Sequence, residues 1–297
     1  MAETEQKSLY KKIKERQAQF EKVRQPYENV WRDVIELILP ELSLWGDKEA
    51  SDQGKARNLQ VYNAGPEEAL ENWADGTQGH LASPSLDWFK YAMANDAMNN
   101  NSLVRQWLQE CEKGIYSILR DSNFYPLLSP TFRGAGAIGN ACMFIDESPK
   151  ADGIDCSTFH PREVFIAENA RGKVNIWHRK FQMTAKNATE EFGKEKLSRR
   201  LRENLANNPF ARHEFIHAVY EQDDPILDKE KKIPDRPWVS VYIEVNSDPN
   251  KEEPLRIAGY WSKPFAYWRL MKTSGSVYGW GLGCSALVDI YGLNVVS

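Results

Sequence analysis

A chain of 297 residues with 41% hydrophobic and 27% charged side chains can bury a full core, and its ten Trp, twelve Tyr and twelve Phe exclude a solvated disordered polymer. With 38 basic against 42 acidic residues the net charge is -4, which excludes a protein that binds nucleic acid through its whole surface; any DNA contact has to be local. Cys111, Cys142, Cys156 and Cys284 form no CxxC pair, which argues against a structural zinc or a disulfide framework and for a reducing compartment, while the charged N-terminus and the lack of a run of about 18 apolar residues point to a protein that is intracellular at synthesis.

In residues 5–39, Leu9, Ile13, Phe20, Val23, Tyr27, Val30, Trp31, Val34, Ile35 and Ile38 recur at three- and four-residue spacing, which predicts an amphipathic helix. Pro26 should kink or split it and Pro40 end it. Residues 41–61 read as a polar loop, either plain solvent-facing or touching a neighbouring subunit or ligand. The stretch from Tyr62 to Tyr91 predicts a long buried helix with Asn63 as cap and Pro66 in its first turn. Glu67 and Glu68 lie at its positive end; Ala69, Leu70, Trp73, Thr77 and Leu81 share one face. Gly76 and Gly79 should let another element approach. The Ser83-Pro84-Ser85 turn ends it, and Trp88 and Phe89 should pin that turn.

Ser102 can cap the next helix, with Leu103, Trp107, Cys111, Ile115, Ile118 and Leu119 on its buried side. Another starts near Phe124, buries Leu127, Leu128, Phe132 and Ile138, and contains Pro130. From Ala141 the pattern turns to short β-branched and aromatic runs separated by Asp-Gly and Arg-Gly turns, which predicts hairpins. Thr184 caps a helical insertion to about Asn207, broken at Gly193, and strands return from Glu214. Gly279, Gly281 and Gly283 then form a tight turn, and Ser285 caps an apolar-periodic run with Leu287, Ile290 and Leu293. Because the chain stops inside that run, the natural polypeptide is expected to continue. The fold class read here is α+β: a helical N-terminal half packed with antiparallel β-hairpins. Its regions are a mainly helical 1–140, a β-rich 141–275 with the helical insertion near 184–207, and a glycine-rich turn with the start of a further helix at 276–297.

Three motifs suggest chemistry. His213-Glu214-Phe215-Ile216-His217 matches HExxH, in which two histidines one helical turn apart hold zinc and the glutamate is the general base. On a helix the two side chains lie about 6 Å apart, but the β-branched and aromatic surroundings predict a strand, where roughly 13 Å would separate them. Gly134, Gly136 and Gly139 match GxGxxG, yet no strand precedes them and a strand-like run follows, so close packing at a helix-to-strand junction is the expectation. The basic run Lys194, Lys196, Arg199, Arg200 and Arg202 could track phosphates, but Glu195 and Glu203 interleave with it, and a solvated helix laced with ion pairs is the favoured reading. No catalytic, cofactor or metal residue is assigned. A zinc metallopeptidase using His213, Glu214 and His217 stands as the alternative.

The order of these signatures resembles the portal proteins, or head-to-tail connectors, of tailed bacteriophages, in particular those of T7-like podoviruses. The resemblance is carried by the leading helix with Trp31, by WADGTQGHLASPSLDWFKY (73–91), and by NFYPLL and GAIGNACMFIDE. It continues through GKVNIWHRKFQMTAKNATEEFG (172–193), HAVYEQDD, GYWSKPFAYWRL and YGWGLGCSALVDIYGLN. Leu282 departs from it, standing where a small residue or proline is expected. The resemblance implies the wing and the entry to the stem of a longer, non-enzymatic subunit. It implies a homo-oligomeric ring, a dodecamer, at one capsid vertex of the virion, assembled in the bacterial host cytoplasm. The ring is the channel for genome packaging and ejection. The implied partners are further copies of the chain, major capsid and scaffold proteins, terminase, adaptor and tail proteins, and double-stranded DNA passing without sequence specificity; no membrane is implied.

Overall fold

The computed structural model describes residues 3–40, 61–148, 153–222, 236–246 and 252–296. The polar loop 41–60 and most of the stretch between residues 222 and 237 lie outside the described residues. The protein is α+β and divides into two compact units, each made of two stretches of chain: residues 1–29 with 160–263, and residues 30–159 with 264–297.

The first unit is built on a five-stranded antiparallel meander. Its strands, β3 (Val164–Glu168), β4 (Val174–Thr184), β5 (Arg212–Glu221), β6 (Trp238–Glu244) and β7 (Arg256–Tyr260), pair in sequence order. Helix α1 (Glu3–Ile38) lays Leu9, Tyr10 and Ile13 on one face, against Ile216, Ala218 and Tyr220 of β5 and Val239, Val241 and Ile243 of β6. Each such side chain contributes about 1.5–3 kcal/mol by leaving water. Because strand side chains alternate, the intervening residues face the other way. There Phe181 and Phe215 meet Ala185, Ala188 and Phe192 of helix α6 (Ala185–Phe192) and Leu201 of α7 (Arg199–Asn207). Thr184 accepts from Asn187 N and Ser198 from Leu201 N, so each short helix has a side-chain cap; Gly193, at φ 82°, separates them as read from the sequence. Pro26 does not split α1, which runs unbroken through it.

In the second unit α2 (Gly65–Leu81), α4 (Ser102–Asp121) and α5 (Phe124–Ile138) accompany a three-stranded sheet ordered β2 (Ile154–Thr158), β1 (Asn140–Glu147), β8 (Phe265–Arg269); α3 (Asp96–Asn99) is a single turn. Strands β7 and β8, neighbours in sequence, thus belong to different sheets. Helix α5 is the buried one: Tyr125, Leu128, Phe132 and Ile138 are covered, with Ala74 and Ala82 from the α2 segment and Met143 and Cys156 in the same core. Helix α2 is less buried than its sequence suggests, since only Leu70 and Ala74 are buried and Leu81 is exposed. Gly76 and Gly79 face open space. The close approach is at Gly136 of α5, where a Cβ would meet Leu70 Cδ1 at 2.6 Å and the Trp73 ring at 2.7 Å.

Two caps differ by local register. Asn101, not Ser102, caps α4 by accepting from Leu103 N. At α2 the Asn63 side chain accepts from Gly65 N, although Ala64 holds the cap position. The turn after α2 is pinned as expected. Phe89 N donates to Tyr116 Oη (2.7 Å), Tyr116 Oη donates to Phe89 O (2.8 Å), the two rings stack at 4.4 Å, and Trp88 Nε1 donates to Tyr125 Oη (3.1 Å). No helix among the described residues is long and apolar enough to cross a membrane.

Candidate functional site

The most constrained place in the second unit is the glycine-lined junction that launches α8 (Leu282–Val296). Gly139 ends α5 in the left-handed region, φ 83°, its amide bonded to Ala135 O. A Cβ there would strike the backbone of Trp280 and Gly281, one at Gly281 the backbone of Ala137, and one at Gly279 the carbonyl of Gly139. Asn140 fastens the junction by acting as a peptide group in side-chain form. Its Oδ1 accepts from Gly279 N (2.8 Å) while its Nδ2 donates to Gly279 O (3.1 Å) and Ile138 O (3.1 Å). Leu270 N donates to Gly139 O and Trp280 N to Met271 O. The GxGxxG match and the second glycine series are thus two sides of one backbone crossing. Neither forms a phosphate cradle. Ser285 is not a cap but sits inside α8, its hydroxyl donating to Gly281 O.

The second unit also presents apolar side chains outward. On α4 only Tyr116 is fully buried, whereas Leu103 (75% exposed), Trp107 (59%) and Ile118 emerge within one arc of about 60°. Helical period assigned these to a buried side correctly as a stripe and wrongly as a covered one. On α8, Val288 is 82% exposed and Val295 and Val296 are exposed with it, while Ile290 turns inward to an apolar groove of about 310 Å³ lined by Ile38, Leu70, Trp73 and Leu293. Exposed apolar side chains aligned on one helix face fit protein–protein contact. Asn140 and this outward stripe are what the sequence reading missed; a polar residue buried between a helix-ending glycine and a strand was the available signal for the first.

The HExxH residues lie on β5, so the helix that the zinc reading needs is not there. His217 is buried: it stacks on Tyr242 at 3.8 Å and shares a hydrogen bond with Ser240 Oγ at 2.8 Å. Burial, with Arg179 and Arg256 nearby, holds its pKa well below the ordinary value. His213 pairs with Asn204 of α7, and burial and Arg200 lower its pKa. Glu214 approaches Lys180 instead of a histidine. No group of three or more His, Cys, Asp or Glu is placed to hold a metal among the described residues. None of the four cysteines is in a disulfide, and burial pushes the Cys156 and Cys284 thiols up, away from nucleophilic character.

His178, which the sequence reading passed over, is fully buried under α1. Its Nδ1 shares a hydrogen bond with Gln17 Oε1 (3.1 Å), Phe20 packs edge-on at 4.9 Å, and Nε2 has no partner among the described residues. Burial and Arg16 push its pKa down to about 3, so it is neutral at physiological pH. The basic run is less paired than the interleaved glutamates suggested. Arg199 meets Glu203 at 2.7 Å, but Lys194, Lys196, Arg200 and Arg202 have no carboxylate within 4.0 Å among the described residues.

Comparison with known proteins agrees with the resemblance in the sequence. Residues 10–297 match the family model described as bacteriophage head to tail connecting protein. The chain is 27% identical over 266 residues to the portal protein of Salmonella phage epsilon15, covering 88% of this chain and 45% of that protein. It is 26% identical over 298 residues to the probable portal protein of Bordetella phage BPP-1, covering 98% of this chain and 51% of that protein. The chain spans about half the length of these curated relatives. With the match running through α1, both sheets and the glycine junction into α8, the chain belongs to the bacteriophage head-to-tail connecting protein family.

Proposed function

We propose that this chain is part of a portal subunit: a structural, non-enzymatic protein that forms a ring of identical subunits, a dodecamer, at one vertex of the capsid. Residues 1–140 and 141–275 form the wing and 276–297 open the stem. The observation that carries this reading is the family match over residues 10–297 together with two phage portal relatives that cover most of the chain. The exposed stripe of Leu103, Trp107 and Ile118 and the apolar outer surface of α8 support it, because a ring subunit must keep uncovered in isolation what its neighbours cover. The glycine junction supports it as well, since a stem helix has to leave the wing at a fixed angle. In this reading the ring is the channel for packaging and ejection of double-stranded DNA. It is also the docking platform for capsid and scaffold proteins during assembly, terminase during packaging and adaptor or tail proteins afterwards, in virions assembled in the host cytoplasm.

Native mass spectrometry of the full-length protein in zinc-containing buffer tests this in one spectrum. A closed oligomer without metal is expected. A monomer carrying one stoichiometric zinc would overturn the reading in favour of His213 chemistry.

A further inference from the structure

The segment from Thr184 to Arg212 holds seven cations, Lys186, Lys194, Lys196, Arg199, Arg200, Arg202 and Arg212, against four carboxylates, Glu190, Glu191, Glu195 and Glu203, in a chain whose net charge is -4. The structure shows where three of the four carboxylates go. Glu190 lies 3.9 Å from Lys186, Glu191 2.7 Å from Arg256 of β7, and Glu203 2.7 Å from Arg199. Lys194, Lys196, Arg200, Arg202 and Arg212 are exposed and have no ion pair among the described residues. The fold keeps them at the surface. Leu201 is buried beneath α7, so Arg199, Arg200 and Arg202 flank it on the solvent side. Lys194 and Lys196 precede the capping Ser198, and Arg212 opens β5 next to His213, which is tied to Asn204 of α7. Arg199, Arg200 and Arg202 stand in the first turn of α7, which holds no acidic residue and where the helix dipole opposes positive charge.

We propose that this face, Lys194, Lys196, Arg200, Arg202 and Arg212, binds the phosphate backbone of double-stranded DNA without reading its sequence. The proposal rests on the portal reading for the nature of the polyanion and adds a specific surface to it. A duplex backbone needs only several cations on one surface, because release of its condensed counterions supplies the affinity. Arginines suit phosphate through their planar donor forks. An acidic protein partner would call for a desolvated apolar centre within the charged rim, and here the only large apolar side chain exposed on the segment is Phe210. Sequence independence follows from the side chains: Asn204 is committed to His213, and the remaining groups are point charges and forks suited to phosphate.

The test is fluorescence anisotropy of this chain with a labelled random-sequence duplex over a salt series, beside poly-glutamate of similar charge. For five phosphate contacts the log–log salt slope is expected near about -4.5, and the triple variant Lys194→Glu, Arg200→Glu, Arg202→Glu should flatten it by about 3 and weaken binding at least about tenfold. All three side chains are exposed, so circular dichroism should not change and the melting temperature should not fall. Duplex binding that the triple variant leaves intact overturns the proposal, as does no duplex binding at low salt. Equal or tighter binding of poly-glutamate also overturns it, in favour of an acidic protein partner. Ring formation is scored separately by native mass spectrometry. A ring without DNA binding ends this inference alone, and DNA binding by a protein whose full-length form makes no ring ends the portal reading alone.

Discussion

Gly139 meets two demands at once, a φ of 83° and a neighbour's backbone where a side chain would sit. Gly139→Ala should therefore cost at least about 3 kcal/mol, adding left-handed strain to overlap with Trp280, and show as a melting temperature lowered by several degrees. Gly76 is the contrast, helical and facing open space, so Gly76→Ala should gain about 0.5–1 kcal/mol through helix propensity alone. His178 carries a pH dependence whose sign follows from its burial. Its folded pKa of about 3 lies below the ordinary 6.5, so the unfolded chain takes up the proton first as pH falls. Its stabilisation is full above pH 6.5 and is lost progressively as pH falls toward 3, by about 1.4 kcal/mol per pH unit. His217, also buried and lowered, adds in the same direction. Urea midpoints at pH 7.5 and 5 should fall further apart in the parent than in His178→Gln; equal separation would assign the acid sensitivity to groups other than His178.

At the scale of elements, α1 is fastened to the first unit by a buried arginine as well as by its apolar stripe. Arg24 donates from Nη1 to Val164 O (2.9 Å) and Pro161 O (3.2 Å) and from Nε to Glu28 (2.7 Å), and its guanidinium lies 3.6 Å over the Phe165 ring. Arg24→Ala leaves two backbone carbonyls without their donor and empties the space over Phe165, so a loss of about 2–4 kcal/mol is expected from chemical denaturation. Arg24→Lys should recover only part of it, since an ammonium has no planar fork to serve both carbonyls and stack on the ring. The unbroken course of α1 through Pro26 belongs to the same scale. One lost backbone hydrogen bond is small beside the packing on either side of it, so local propensity yields to tertiary structure.

For the molecule as a whole, the exposed stripe on α4 separates folding from assembly. Trp107→Glu and Leu103→Glu should change the stability of the isolated chain by less than about 0.5 kcal/mol, because these side chains are already in water. In the full-length protein they should abolish or enlarge the spread of closed rings seen by native mass spectrometry. Normal rings from both variants would remove α4 from the subunit contacts. The same reasoning divides what could be read early from what could not. Amphipathic period, strand alternation, caps such as Thr184, and the glycine breaks identified the element types and the α+β class, since each depends on neighbours within a few residues. The strand reading of residues 213–217 held for that reason. Which stripe is covered, which glycine is approached and which cation finds a carboxylate depend on residues far away in the chain. Trp107 emerges exposed, Gly136 takes the close approach in place of Gly76, and Asn140 reaches a glycine 139 positions on. Local periodicity determines that a face is apolar; only the tertiary structure decides what lies against it.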